Sequence, residues 1–281
     1  MSAVRTRLAG LKLGHRLRAF RSAAGLVATP ARFIAREAVF YPMRAVPGLL
    51  DRVPNRATYT LRAGGRRVTI RHGTPDVYLL HEALGREAYI PPRAAADALL
   101  AVGRPLRVVD LGANIGLFEI ALAPHAPVAR VVAYEPDPDN LELLRRNVAG
   151  GGGAAWRIVE ACAAGTDGQV PFLAGRFAES RVPEAGAEGP TVTVAARDVF
   201  PDLAEADLVK IDIEGGEWEI LGDPRLAATP ARALVLEYHR WRCPTREPRE
   251  AALSALRDAG YATGAPREEA PGFGVVWAWR P

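Results

Sequence analysis

The chain has 281 residues, 49% of them hydrophobic and 24% charged, with a formal net charge of +4. This balance excludes wholesale disorder and fibrous repeats, and the length suits one large domain with an appendage or two small domains. No stretch approaches the roughly 18–20 uncharged apolar residues of a membrane span, and two cysteines, Cys162 and Cys243, are too few for a disulfide framework or a structural zinc site, so a reducing cytoplasm is the expected compartment.

The charge is unevenly spread. Residues 1–56 hold 11 basic side chains against two acidic ones, Glu37 and Asp51, which leaves the remaining 225 residues at −5. In this arm Leu13, Leu17, Phe20, Ala24 and Val27 share one helical stripe, with Arg16, Arg18 and Arg21 off it. Pro30 ends that helix, and a second runs from Ala31 to Phe40 until Pro42 and Pro47 break it. Two roles fit the arm: a basic amphipathic helix resting on an anionic membrane surface or a protein, or a helix packed on the body with solvated arginines.

Next comes a period-two pattern from Thr58 to Arg71, with Tyr59, Leu61, Val68 and Ile70 divided by Gly64-Gly65, which predicts a β-hairpin. A short helix is expected over Ala94 to Val102. The body then alternates. Strands are predicted over 107–111, 130–135, 156–161, 208–213, 234–238 and 274–279, and helices over 116–123, 138–148, 217–221 and 250–259, with a β-rich stretch around 170–173 and 191–194. Such alternation predicts an α/β fold, a doubly wound and mostly parallel sheet. The expected organisation is a basic helical arm (1–56), a hairpin and helical lead-in (57–105) and a cofactor-binding domain (106–281), with Gly150–Gly153 and Pro183–Pro190 as connectors.

In an open α/β sheet a ligand lies beyond the carboxyl ends of the strands. The first body strand ends in Asp110-Leu111-Gly112-Ala113-Asn114-Ile115-Gly116 and the second in Tyr134-Glu135-Pro136. Gly112 and Gly116 let the backbone approach a ligand, Asp110 places a carboxylate beneath it, and Glu135 is positioned to accept both hydroxyls of a ribose. A pyrophosphate-binding loop would read G-x-G-x-x-G. Here the loop is headed by an acid, a poor neighbour for pyrophosphate and a good one for the α-ammonium of S-adenosylmethionine, so the sulfonium cofactor is expected over NAD. The fourth strand runs into Lys210-Ile211-Asp212-Ile213-Glu214-Gly215-Gly216-Glu217. Three carboxylates within six residues are costly to hold together unless a cation, a metal or a substrate shares their field.

The segments DLGANIG (110–116), EP (135–136), EACAAG (160–165) and KIDIEGGEWEIL (210–221) together resemble the FkbM-type S-adenosylmethionine-dependent methyltransferases, and Gly73-Thr74-Pro75-Asp76 with Glu82 and Tyr89 is similar to the lead-in of that family. The resemblance covers about residues 58–240. It implies a Rossmann-like class I methyltransferase fold and O-methylation of a hydroxyl on a sugar, glycan or natural product, with a carboxyl group as an alternative acceptor, while the basic arm raises RNA as another. It also implies cofactor contacts by Asn114, Glu160, Cys162 and Asp212 beside those already named, with Glu160 and Cys162 on the adenine side. Asp212, His239 and Glu214 are the expected catalytic group, and Glu217 and Tyr89 the expected substrate contacts. His239 carries a suitable pKa for a general base. No metal ligand is assigned, although a divalent ion held by Asp212, Glu214 and their neighbours would lower the pKa of an alcohol. The expected partner is a small-molecule or glycan acceptor, not nucleic acid, with peripheral membrane or protein contact through residues 1–45. A non-enzymatic module that retains the fold is the reading of another class.

Overall fold

Apolar runs buried on both faces form the centre of the computed structural model, which describes residues 13–46, 48–85, 88–149, 154–175, 180–183 and 191–280. β3 (Leu106–Leu111), β4 (Val128–Tyr134), β5 (Ala155–Val159), β9 (Leu208–Ile211) and β10 (Ala233–His239) pair in parallel, and β13 (Phe273–Trp279) joins β10 antiparallel. The order is β11-β13-β10-β9-β3-β4-β5, with β11 (Ala262–Thr263) at one edge and β12 (Arg267–Ala270) also paired with β13. Strands β9 and β10 are covered completely, as mostly apolar strands at the centre of a parallel sheet are, although β9 carries Lys210 and β10 ends in Glu237, Tyr238 and His239. The chain leaves β3 towards β4 on one side and returns through β9 on the other. The switch point, where such sheets bind ligands, therefore lies between the tips of β3 and β9.

Helices cover both faces. Leu253 and Leu256 of α9 (Pro248–Asp258) join Val109, Ile211 and Leu236 in one core, and Leu141 and Leu144 of α6 (Pro138–Ala149) join Val108, Val131 and Val235 in the other. A separate three-stranded sheet, β6 (Cys162–Ala164), β8 (Val192–Asp198) and β7 (Gly168–Phe172) in that order, stands over the carboxyl end of the main sheet. The connectors 150–153 and 184–190 lie outside the described residues.

The arm packs against the body. Helix α1 (Leu13–Leu26) and helix α2 (Pro30–Met43) bury Ala23, Ala24, Val27 and Phe33 against the hairpin β1 (Arg56–Thr60) and β2 (Arg67–Arg71) and against α3 (Asp76–Gly85). Two expectations need correction. Leu17 is 49% exposed because the buried stripe of α1 runs through Ala19, Ala23 and Ala24, and the side chains of Leu13 and Arg16 lie outside the description. Pro42 falls inside the last turn of α2 instead of ending it. The sequence also gave no sign of α3, whose Val77, Leu80 and Ala83 are buried in a segment apolar nearly all round.

Candidate functional site

The tips of β3, β4 and β9, the sheet β6–β8 and helix α3 enclose a cavity of about 1270 Å³ including its open mouth. Gly112, Asn114, Glu135, Cys162, Asp212, Glu214 and Tyr89 line it, as expected for site residues. Asp110, Gly116, Glu160, Glu217 and His239 do not.

At the tip of β4, Glu135 accepts the backbone N–H of Asn114 (2.8 Å) and of Asp137 (2.9 Å). Burial pushes its carboxyl up to about 7, against the pull of those donors. Asn140 of α6 reaches the same carboxylate and accepts from Arg71, whose guanidinium is fixed by the buried Asp76 at 2.8 and 2.9 Å. The Gly73–Asp76 segment thus acts through a chain of hydrogen bonds on the Glu135 carboxylate.

Gly112 has φ +86, and a Cβ there would stand 1.8 Å from the carbonyl oxygen of Asp212. Only glycine lets the β3 and β9 loops touch. Gly116 has a different task from the one expected: its missing Cβ makes room for Leu144 of α6, not for a ligand.

Asp110 also differs from expectation. It is fully buried behind Lys210, whose ammonium donates to Asp110 Oδ1 (3.0 Å) and to the Gly112 carbonyl (2.8 Å) and lies 3.4 Å from Asp212. Burial opposes the lysine charge, yet the Asp110 and Asp212 carboxylates hold its pKa above the ordinary range. Burial and the neighbouring Asp110 push Glu119 of α5 (Leu117–Leu122) well above the carboxyl range. Sequence reasoning missed Lys210. The signal was there, a lysine inside the apolar run of a buried strand, one of only two in the chain.

Glu160 points outward and pairs with Arg145, because β5 ends one residue earlier and the side chain leaves on the solvent side. The cavity wall beside it is instead made of Cys162, Val170 and Phe172. Burial pushes the Cys162 thiol up to about 12, which keeps it neutral and apolar.

Glu217, the first residue of α8 (Glu217–Gly222), is fully buried and stands off the cavity wall, not among the substrate contacts expected of it. Its Oε1 accepts the backbone N–H of His239 (2.8 Å) and faces Nδ1 (3.1 Å), and its Oε2 accepts the Gly215 N–H (2.7 Å). His239 is likewise fully buried, behind Asp212 and Glu214, and so stands off the cavity wall where a general base would act. Burial opposes its charge, but Glu214 and Glu217 raise its pKa well above the usual imidazole range. Asp212, on the wall, is pushed up to about 6 by burial and by Glu237, against Lys210 and His239.

These residues fit S-adenosylmethionine. Glu135 would take the ribose hydroxyls, Cys162, Val170 and Phe172 the adenine, and Asn114, whose buried Oδ1 has no partner, the methionine ammonium.

A glycine turn at β3, a buried carboxylate at the tip of β4 and an acidic loop at β9 define a Rossmann-like methyltransferase domain of class I. The chain belongs to the FkbM methyltransferase family, whose domain model matches residues 110–262. It is similar to the methyltransferase sdnD of Sordaria araneosa, 30% identical over 151 residues that cover 41% of this chain and 58% of that protein. It is also similar to the release factor glutamine methyltransferase of Mycolicibacterium smegmatis, 36% identical over 100 residues, 33% of this chain and 35% of that one. The chain therefore spans less than two thirds of either curated relative. Among solved structures, M. jannaschii TYW2 in complex with AdoMet superposes with a TM-score of 0.41 at 15% identity, covering 80% of this chain and 85% of that one. For the precorrin-6y C5,15-methyltransferase of Geobacter metallireducens the TM-score is 0.38 at 20% identity, with coverage of 66% and 87%.

Proposed function

We propose that the protein transfers the methyl group of S-adenosylmethionine to a hydroxyl of a small molecule, sugar or glycan. When bound, the cofactor supplies an electrophilic methyl on sulfonium, which the acceptor oxygen attacks as the S–C bond breaks. The residues of the chain do the rest. Glu135 and Asn114 hold the donor, the Gly112–Asp212 contact sets the distance between donor and acceptor loops, and Asp212 with Glu214 provides the negative field into which the hydroxyl proton departs. The observation that carries the reading is this pair of carboxylates on the same cavity wall as the ribose carboxylate. An acidic platform attracts the proton of a neutral hydroxyl and repels a carboxylate acceptor, so the carboxyl alternative is the weaker one. Titration calorimetry with S-adenosylmethionine tests the donor half: saturable binding is expected, weakened about tenfold or more in Glu135→Gln by loss of charge-assisted hydrogen bonds to the ribose. A screen of hydroxylated acceptors for S-adenosylhomocysteine release tests the other half, and release with carboxylic acids alone would overturn it.

The arm carries a reading of its own, contact with an anionic lipid surface. Leu17, Ile34, Val39, Tyr41 and Val46 are five of the seven large apolar side chains exposed among the described residues. Around them Arg18, Arg21 and Arg32 are also exposed, and a second copy docking here would oppose two strongly basic arms. No helix among the described residues is long and apolar enough to cross a membrane. Co-sedimentation with phosphatidylglycerol-rich vesicles is expected, falling with salt and with Ile34→Glu. Equal binding to pure phosphatidylcholine, or none to either, would contradict it.

A further inference from the structure

The imidazole at the end of β10 is held in an unusual way. Nδ1 of His239 faces Glu217, which also receives the backbone N–H of the same residue, so the ring is fixed from behind. That leaves Nε2, fully buried and without a hydrogen-bond partner, pointing at Glu214 (3.5 Å) and Glu237 (3.6 Å). Both separations exceed the ordinary hydrogen-bond range. They equal the distance of about 3 to 3.7 Å between adjacent donors around one divalent cation. One donor atom each from Asp212, Glu214 and His239 lies within 4.8 Å of the others. Lys210, hydrogen-bonded to Asp110 and the Gly112 carbonyl, pairs with Asp212 at 3.4 Å and so offsets one carboxylate of this corner, while Glu214 and Glu237 face the imidazole.

We propose that Asp212, Glu214 and His239 bind one divalent cation on the acceptor side of the cavity. The carboxylate–imidazole arrangement of Glu217 and His239 is the one that orients a metal-bound histidine by its second nitrogen, which makes Glu217 a positioning residue. Two carboxylates with one imidazole suit Mn²⁺ or Zn²⁺ more than Mg²⁺, which prefers oxygen and water. Asp212 and Glu214 reach the cavity while His239 closes the site from behind, so the cation would present its remaining positions to the acceptor. Its role, lowering the pKa of a bound hydroxyl, rests on the O-methyl reading; its binding does not.

Mn²⁺ alone is the probe. The full chain, stripped with EDTA and titrated with Mn²⁺, should extinguish the free-ion electron paramagnetic resonance signal saturably at one ion per chain. Glu214→Gln and His239→Gln should each weaken that binding about tenfold or more, with melting curves checking the fold. Glu214 is partly exposed, so its variant keeps the test decisive if His239→Gln does not fold. No saturable binding, or binding unchanged in Glu214→Gln, would overturn the site. A chain that binds Mn²⁺ yet methylates no hydroxylated acceptor sinks the O-methyl reading and leaves the cation site standing; one that methylates at full rate in EDTA and binds no Mn²⁺ does the opposite.

Discussion

Glu135 shows how one side chain on the cavity wall shapes the stability of the free protein. Its folded pKa of about 7 lies above the ordinary 4.5, so the folded state binds this proton more tightly than the unfolded chain does. The resulting stability is complete below about pH 4.5 and is lost as pH rises through 7, a change on the order of 3 kcal/mol. Asp212 titrates in the same window and in the same direction. Glu135→Gln removes only the first contribution, so its melting temperature should fall less steeply than the wild type's between pH 5 and 8; parallel curves would refute the assignment. The sequence singled out this residue because a carboxylate stands at a strand tip, and the structure puts it on the cavity wall. It misplaced Asp110 and Glu217. Their partners, Lys210 and His239, stand 100 and 22 residues away, and spacing along a chain does not reveal which buried charges meet.

At the level of elements, periodicity located most of the strands and helices, and it failed where tertiary burial erased the contrast it depends on. The helix 76–85 is the example: wedged between the arm and α5, it needs no polar face. The arm is tied to the hairpin by more than apolar contact. Glu37 of α2 lies 2.9 Å from His72 Nδ1 and accepts the Gly73 N–H, and the other ring nitrogen of His72 lies 2.6 Å from the Tyr59 hydroxyl. All three side chains are buried. Glu37→Ala strands two buried donors and should cost about 2–4 kcal/mol. The expected result is a lower unfolding midpoint in urea together with faster tryptic cleavage in the arm; cleavage unchanged would mean that apolar packing alone holds it. Removing residues 1–45 entirely would uncover Tyr59, Ile70 and Leu80, so the arm is a structural cover as well as a surface.

For the molecule as a whole, the sequence pattern revealed the α/β class and the alternation of its elements, but not the strand order or the antiparallel β13. Order depends on which apolar faces meet, and residues in a strand buried on both sides carry no label for their neighbours. The charge map was legible in full, a basic arm over an acidic body, because net charge is a sum and needs no geometry. It is drawn almost wholly in arginine, with consequences for chemistry done on the native protein. Apart from Lys12, the one side-chain amine is Lys210, buried and held protonated between the donor and acceptor loops. Lys210 lines the cavity, so a ligand seated there would screen it from an acylating reagent, and the extent of Lys210 acylation in the native chain reports how fully the cavity is occupied.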